Sequence, residues 1–380
     1  MRAILLGYYG ANNHGDDMML LYLLRWMKLQ DVKVTVISEN VTDTKNRFDV
    51  DAILNTPLLV QWSWFNSYFR GHAFRLARAI KKNDILVVGG GDIIRDDKGW
   101  KVFWYTMEKI VLALFMRKQV ILVNVGIGRP VTKKSRFVLK WALKRCKKII
   151  IRDERSLKVC KELGCEDSVV LIDDIVFNLP DILKVKQEEA EEPLRKKAPY
   201  VVVSIRGNPN VGRRYSLGAS ELENVAKGLD YLVEQHGLNI IFVPFQEEVD
   251  DGEGAVVNSI FKLMKYKENV TMSEWTSDLG KVLRLFRDAN LIVAMRLHAA
   301  VLAVAYNKKC LVMPYDIKLD ELAQQVGLTN VIHSDDLASY EKVRSSLEAT
   351  INEVPKYHLR PDILQDIKLS SIVDGKKSAT

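Results

Sequence analysis

The sequence predicts an α/β fold composed of two Rossmann-like domains. Short runs rich in β-branched residues alternate with helix-length amphipathic segments, which is the pattern of parallel strands crossed by helices. A charged stretch with prolines at its end breaks this alternation near the middle of the chain. With 380 residues, 48% hydrophobic and 27% charged, the chain is long enough for two ordered domains.

The first half predicts a series of strands with helices between them. The strands correspond to RAILLGYY, VKVTVIS, DILVVGG, QVILVNVG, KKIIIRD and SVVLIDD, and DDMMLLYLLRWMKL predicts the first helix. We assign residues 1–180 to this N-terminal Rossmann-like domain. Residues 181–199, which follow Pro180 and are rich in charge, are predicted to be a linker.

The second half repeats the pattern after the linker. Strands are predicted in YVVVSIRG, LNIIFVPF, NLIVAM and CLVMPY. Residues 200–350 are therefore assigned to a C-terminal Rossmann-like domain, and residues 351–380 to a C-terminal tail. Two such domains predict a central cleft between them, where ligands commonly bind.

Composition narrows the classes of function. The N-terminus reads directly as a strand and lacks the features of a secretory signal, so we expect a cytoplasmic protein. The four cysteines lack C-x-x-C spacing, so we expect reduced, buried thiols and no metal site. The formal charge of +8 favours anionic partners. Because the cations are spread along the chain without interleaved aromatics, we expect no nucleic-acid partner.

An aromatic stretch, Trp62–Phe69, lies within the longest segment that is free of charge, residues 52–69. Its polar residues make it a poor membrane span. It is either a loop and helix packed into the core, or an exposed lip that stacks on sugars or touches a membrane surface.

Cations and amides follow several predicted strands at their carboxyl ends, where open α/β sheets bind their ligands. Arg152 ends a strand of the first half, and Arg206, Gln246 and Lys318 follow strands of the second half. Any one of the arginines could instead tie a loop to backbone carbonyls. Together they predict a substrate that carries both a carboxylate and a phosphate, because guanidinium groups match both anions.

Arg296 and His298 stand two residues apart between the strand NLIVAM and the helix AAVLAVAYN. Residues at this spacing point to the same side only in extended backbone, so we place the pair in the turn before the helix. The amides of that helix N-terminus would favour an anion there. The alternative for His298 is a neutral histidine bonded within the core.

Glycine-rich turns follow three strands of the first half, in GYYGANNHGDD, VVGGGDIIRDD and VNVGIGRP. None has the G-x-G-x-x-G spacing of a dinucleotide site. Asp16 and Asp17 suit the first turn of the first helix, where carboxylates are favourable.

In order and spacing, these motifs resemble the polysaccharide pyruvyl transferase family, which is similar in fold to GT-B glycosyltransferases. The resemblance runs from about Gly7 to Leu328. The motifs that carry it are N-x-G-D at Asn13 to Asp16, the triple glycine at Gly89 to Gly91, GIG at Gly126 to Gly128, RDERS at Arg152 to Ser156, SIR at Ser204 to Arg206, RLHA at Arg296 to Ala299 and YDIK at Tyr315 to Lys318.

The resemblance implies an enzyme that transfers the pyruvate unit of phosphoenolpyruvate onto a sugar as a ketal and releases phosphate. The sugar belongs to a cell-wall or extracellular polysaccharide or to its lipid-linked precursor, and no cofactor is expected. The family's functional positions fall on Arg152, His298 and Lys318. We expect His298 to act as general acid/base, and Arg152, Lys318 and Arg296 to hold the anionic groups of the donor and the leaving phosphate. Donor contacts are expected from Arg206, Arg296 and Gln246, and acceptor or loop contacts from Asn13, Gly15, Asp16, Gly90, Gly91 and Asp92.

One departure from the family pattern is Asp17, where relatives often carry glutamate, and it leaves the identity of the acceptor contacts open.

The other partner that we expect is the inner face of the membrane, through peripheral association. Two other classes compete. A GT-B nucleotide-sugar glycosyltransferase would also use a basic cleft, although no convincing E-x7-E pattern surrounds Arg296. A non-catalytic scaffold of an envelope-assembly complex would use the aromatic stretch and the basic charge.

Overall fold

A computed structural model of the protein describes residues 1–58, 71–97, 99–183, 198–207, 217–247 and 252–373. The chain divides into two units. The first contains Met1–Ala11, Asp16–Ile175 and Arg360–Thr380, and the second contains Asn12–Gly15 and Val176–Leu359. The aromatic stretch Trp62–Phe69 and most of the predicted linker lie outside the described residues.

The first unit contains a seven-stranded parallel sheet within the described residues, with strand order β3-β2-β1-β4-β5-β6-β7. Its elements, in chain order, are β1 (Arg2–Leu6), α1 (His14–Lys28), β2 (Lys33–Ser38), α2 (Val41–Phe48), β3 (Asp51–Leu54), α3 (His72–Lys82), β4 (Ile85–Gly89), α4 (Trp100–Phe115), β5 (Gln119–Val125), α5 (Lys133–Leu143), β6 (Lys148–Ile151), α6 (Glu154–Glu162) and β7 (Val169–Leu171).

The central strands of this sheet are buried on both faces. All five residues of β4 are buried, as expected for a parallel strand covered by helices on either side. Leu76, Phe103 and Leu139 of helices α3, α4 and α5 share one apolar cluster with that sheet. Polar caps set the helix starts: Thr132 accepts a hydrogen bond from Ser135 N–H before α5, and Asp153 accepts one from Ser156 N–H before α6.

The second unit contains a five-stranded parallel sheet within its described residues, with strand order β10-β9-β8-β11-β12. Its elements are α7 (Leu179–Leu183), β8 (Tyr200–Ser204), α8 (Ala219–His236), β9 (Asn239–Phe242), α9 (Glu253–Leu263), β10 (Val270–Met272), α10 (Leu279–Asp288), β11 (Leu291–Ala294), α11 (Leu297–Ala305), β12 (Lys309–Val312), α12 (Ile317–Val326), α13 (Ser334–Leu337) and α14 (Tyr340–Asn352). The last helix of the chain, α15 (Leu369–Val373), belongs to the first unit.

The predicted α/β fold with two Rossmann-like sheets is confirmed, and every strand predicted from the sequence is present. The two strands that the sequence did not reveal are β3 and β10. Both are short and lie at sheet edges, where strands need fewer apolar residues. The central cleft stays a prediction. Among the described helices, none is long and apolar enough to cross a membrane.

The end of the chain packs onto the first unit, whereas the sequence analysis treated residues 351–380 as a tail. Trp26 Nε1–H donates to the carbonyl of Leu364, and Tyr22 Oη–H donates to Asp362. The guanidinium of Arg360 lies 3.2 Å from Asp173 and 3.1 Å from Glu154. Residues 360–373 therefore form part of the packed body of the first unit.

We expect Leu364→Ala to lower the free energy of unfolding by about 2–5 kcal/mol, because the Leu364 side chain is fully buried and its loss leaves a cavity. Leu359→Ala is the matched control, since that leucine is 43% exposed and should cost far less. Urea unfolding measures both. Equal effects at the two positions would contradict the packing described for the C-terminal segment.

Candidate functional site

The carboxyl edge of the second sheet gathers most of the predicted donor residues. Arg206 follows β8, Gln246 follows β9, Arg296 and His298 follow β11, and Lys318 follows β12. Because all five strands are parallel, these residues lie at one edge of the sheet. This is the edge at which ligands bind in open α/β sheets.

Arg296 is held by a buried carboxylate. Its Nε lies 3.1 Å from Oε1 of Glu253, and the two side chains are 8% and 2% exposed. The other oxygen, Oε2, accepts a hydrogen bond of 2.9 Å from Phe245 N–H. Arg296 Nη2–H also donates to Oε1 of Gln246 at 3.2 Å. The guanidinium is therefore fixed in place before any substrate arrives.

His298 lies against the glycine of the N-x-G-D motif. A Cβ atom placed on Gly15 would stand 2.1 Å from Nδ1 of His298, a distance that no side chain tolerates. Gly15 is thus required for the imidazole to lie where it does. Its amide in turn donates a 3.0 Å hydrogen bond to Oδ1 of Asn13.

The segment Asn12–Gly15 pairs with the backbone that follows β9. Asn13 forms an antiparallel bridge with Gln246, His14 N–H donates to Phe245 O at 2.9 Å, and Glu247 N–H donates to Asn12 O at 3.1 Å. This segment belongs to the second unit. The pairing brings the predicted acceptor residues Asn13 and Gly15 together with Gln246 and His298.

A second histidine, His14, belongs to this segment and is buried. Its ring stacks on Trp275 with 5.4 Å between centroids and an interplanar angle of 4°, and it meets Phe245 edge-on at 5.8 Å. Aromatic packing on two sides fixes the ring and, with it, the backbone next to Gly15.

Arg206 is stacked on Tyr315. The guanidinium carbon lies 4.5 Å from the centroid of the tyrosine ring, and Arg206 Nη1–H donates to the tyrosine hydroxyl. The stacking and the hydrogen bond together orient the guanidinium group. Lys318 lies in the first turn of α12, where its N–H donates to the capping residue Asp316.

The placement of Arg296 and His298 in one extended turn was wrong in part. Arg296 is extended, with φ −92° and ψ 137°, but α11 begins at Leu297, so His298 lies in the first turn of the helix. The prediction started the helix at Ala299. Leucine and alanine favour helix so strongly that it begins as soon as the backbone leaves Arg296.

In the first unit, Arg152 lies at the carboxyl end of β6 between two carboxylates. It donates through Nη1 to Oδ2 of Asp174 and lies 3.3 Å from Oδ1 of Asp92 through Nη2. Burial lowers the pKa of Arg152, but Asp174 and Asp92 outweigh it and raise the pKa above the ordinary value. The guanidinium of Arg152 is therefore stabilised in its charged form.

Asp92 is the centre of this cluster. Besides Arg152, the guanidinium groups of Arg155 and Arg95 lie 3.8 and 3.9 Å from its carboxylate. A Cβ on Gly126 would stand 1.9 Å from Oδ1 of Asp92, so that glycine makes room for the carboxylate.

Gly90 and Gly91 precede Asp92 and both have positive φ, 74° and 76°. A side chain on Gly91 would approach Oδ1 of Asp16 at 3.2 Å. The left-handed turn requires glycine at these two positions. It brings the predicted residues Asp16, Gly90, Gly91 and Asp92 together at the carboxyl ends of β1 and β4.

Asp17 forms a buried ion pair. Its carboxylate, 1% exposed, lies 2.7 Å from Nη2 of Arg47, which also contacts Asp43 at 3.1 Å. Burial raises the pKa of Asp17 to about 6, although Arg47 acts in the opposite direction. Asp17, the position that departs from the family pattern, is therefore a buried carboxylate that links α1 to α2 through Arg47.

The structure thus forms two groups of predicted residues. Arg206, Gln246, Arg296, His298, Lys318, Asn13 and Gly15 belong to the second unit, whereas Arg152, Asp16, Gly90, Gly91 and Asp92 belong to the first. Sequence reasoning missed Glu253, His14 and Asp174. Asp174 could have been found from the sequence, because it is the last residue of the predicted strand SVVLIDD. Glu253 could not be distinguished from the acidic residues that precede it. In the described residues no His, Cys, Asp and Glu cluster could hold a metal ion.

Solved structures of similar fold include UDP-GlcNAc 2-epimerases and a glycosyltransferase. UDP-GlcNAc 2-epimerase from Methanocaldococcus jannaschii has a TM-score of 0.64 and 13% identity, over 94% of this chain and 95% of its own. UDP-N-acetylglucosamine 2-epimerase from Rickettsia bellii has a TM-score of 0.61 and 12% identity, over 99% and 96%. A glycosyltransferase from Rickettsia africae has a TM-score of 0.55 and 12% identity, over 100% and 99%.

At these identities the similarity concerns the fold alone, and it gives the class: an α/β protein with two parallel sheets and a GT-B-like fold. The sequence gives the family. The chain belongs to the polysaccharide pyruvyl transferase family, whose sequence profile matches residues 13–317. No protein of curated function matches the sequence significantly.

We expect Glu253→Leu to lower the free energy of unfolding by about 3–5 kcal/mol, because it leaves the buried Arg296 without its carboxylate. The double variant Glu253→Leu/Arg296→Met should recover much of this loss, since it removes both charges. Urea unfolding of the two single variants and the double variant measures the coupling. A double variant that loses the sum of the single effects would contradict the described pair.

A pH dependence follows from Asp17, whose pKa is about 6 in the folded chain against an ordinary value of 3.8. The folded state binds this proton more tightly, so protonation stabilises it as the pH falls from 6 towards 4. Relative to Asp17→Asn, the free energy of unfolding of the wild type should increase by up to about 3 kcal/mol over that range. This increase should be lost again as the pH rises through 6. Urea unfolding across this range tests the sign, and parallel profiles would contradict it.

Proposed function

We propose that the protein transfers the pyruvate unit of phosphoenolpyruvate onto a sugar of a cell-wall or extracellular polysaccharide, or of its lipid-linked precursor. Membership of the family supports this reaction class. The observation that carries the donor assignment is the constellation of Arg206, Arg296, Lys318 and His298 at one sheet edge.

The donor needs fixed cations because its carboxylate and phosphate are attached to the same carbon. Arg296, held by Glu253 and Gln246, offers a guanidinium whose orientation is already determined. Arg206, supported by Tyr315, offers a second fork. Lys318 supplies a third cation at the neighbouring strand end. Positive charge in fixed positions also stabilises the phosphate as it leaves.

The reaction needs one proton delivered and two removed. Protonation of C3 turns the methylene group into a methyl group and makes C2 open to attack by a sugar hydroxyl. A second hydroxyl of the same sugar then displaces phosphate from C2, which completes the ketal. In the net reaction the two hydroxyl groups lose two protons. C3 gains one of them, and the departing phosphate gains the other. A histidine titrates in the range that such transfers need, and His298 has this role in our proposal.

The first unit offers groups suited to a sugar. Carboxylates accept hydrogen bonds from hydroxyl groups, and Asp16 and Asp92 lie beside the close-approach turn at Gly90 and Gly91. Arg152 fixes Asp92 through an ion pair. We propose that this cluster binds the acceptor and that no cofactor takes part. Arg152, which was expected to hold the donor, pairs with Asp92 in this cluster, so we propose that it is the essential cation of the acceptor site instead. The protein would work in the cytoplasm, on a sugar or a lipid-linked glycan.

We expect His298→Ala to abolish phosphate release from phosphoenolpyruvate and acceptor sugar, while donor binding and the melting temperature stay close to those of the wild type. Arg206→Met should instead weaken donor binding, because it removes a cation and leaves the proton carrier in place. Phosphate release, donor titration calorimetry and a thermal melt distinguish the two variants.

A screen of acceptor sugars with phosphoenolpyruvate, repeated with nucleotide sugars as donors, separates the proposed reaction from its main competitor. Phosphate that appears only with phosphoenolpyruvate and an acceptor supports a pyruvyl transfer. Glycosyl transfer from a nucleotide sugar would identify a glycosyltransferase. Near-normal turnover of His298→Ala would overturn the role of that histidine.

A further inference from the structure

We infer that the outer face of helix α5, together with the end of α4, binds the anionic surface of a lipid bilayer. This basic face is formed by Phe115, Lys133, Phe137, Lys140, Trp141 and Lys144. It lies wholly in the first unit and takes no part in the proposed chemistry.

Charge is concentrated on this part of the chain. From Lys109 to Arg152 the sequence contains no aspartate or glutamate, although many lysines and arginines occur there. The sequence analysis treated the cations as evenly spread and overlooked this acid-free region. Lys133, Lys140 and Lys144 are exposed and form no ion pair with any described residue. A surface of this charge attracts anionic headgroups.

Apolar side chains stand among these cations. Phe115 and Phe137 are 72% and 71% exposed. Trp141, four residues after Phe137 and therefore on the same side of α5, packs on Phe115 with 5.5 Å between ring centroids. The guanidinium of Arg145 lies 4.5 Å from the Trp141 ring. The result is an aromatic ridge bordered by positive charge.

The inner side of α5 is already occupied by the core. Leu139, Ala142 and Leu143 are buried in the apolar cluster of the first sheet, and Trp141 is partly buried against it, which leaves Phe115 and Phe137 as the exposed aromatic side chains. Helices that lie in a membrane interface combine lysine and arginine with tryptophan, phenylalanine and leucine in this way. Tryptophan in particular prefers the headgroup region.

Other occupants fit less well. A second copy of the chain would place the same cations against each other. A nucleic acid would match the charge, but it would leave the aliphatic side chain of Val131, 70% exposed just before α5, without an apolar partner. A bilayer accounts for both the charge and the apolar side chains. Because α5 covers a face of the sheet, binding there leaves the carboxyl edge with Asp92 and Arg152 uncovered.

The test is co-sedimentation of the full chain with vesicles of phosphatidylglycerol and phosphatidylcholine, against vesicles of phosphatidylcholine alone. We expect binding to the anionic vesicles only. Lys140→Gln/Lys144→Gln should lower the partition coefficient by about tenfold or more, because it removes two cations from the surface. Phe137→Ser should lower it several-fold. These side chains are exposed or, for Phe137, mostly exposed, so the melting temperature should not change.

The matched controls lie in the second unit, on exposed positions outside the basic face. Lys262→Gln/Lys281→Gln removes the same net charge, and Leu263→Ser removes an apolar side chain that is 50% exposed. We expect both to bind vesicles like the wild type. The proposal is overturned if the wild type does not prefer anionic vesicles, if the control pair weakens binding as much as Lys140→Gln/Lys144→Gln, or if the protein retains single-stranded RNA but not vesicles.

Discussion

The buried ion pair between Arg296 and Glu253 organises the carboxyl edge of the second sheet. Two charged side chains in the interior are stable only when each satisfies the other and their remaining donors and acceptors are also bonded. Oε2 of Glu253 accepts from the backbone N–H of Phe245, and Arg296 donates to Gln246. The segment after β9 is thereby tied to the start of α11, and the segment Asn12–Gly15 pairs with it through a bridge at Asn13.

Both units place arginine next to carboxylate, but the ratio of guanidinium groups to carboxylates differs between them. Around Arg296 the carboxylate of Glu253 fixes the guanidinium. Around Asp92 three guanidinium groups share one carboxylate, and Arg152 has Asp174 as a second partner. In our proposal the first arrangement binds the donor. The second holds a carboxylate and its glycine turns in a fixed geometry, which suits the recognition of hydroxyl groups.

Much of this could be predicted from the sequence. Alternating β-branched runs and amphipathic segments gave the strands, because burial on both faces leaves a strong local signal. Arg206, Arg296 and Lys318 could be placed at strand ends for the same reason. Strand order, Glu253 and the aromatic packing of His14 could not be predicted, since each depends on contacts between distant parts of the chain. Gly15 is instructive: the motif marked it, but only the structure shows that His298 occupies the space of its missing side chain.

The packing of residues 360–373 on α1 has a consequence for synthesis. Trp26 precedes its partner Leu364 by 338 residues, so it is made long before Leu364. Domains generally fold as units during synthesis, with the N-terminal part first. In this protein, the surface of α1 around Trp26 that Leu364 covers stays exposed to solvent on the ribosome until residue 364 has emerged. The nascent first unit is therefore a natural client for chaperones that recognise apolar surface.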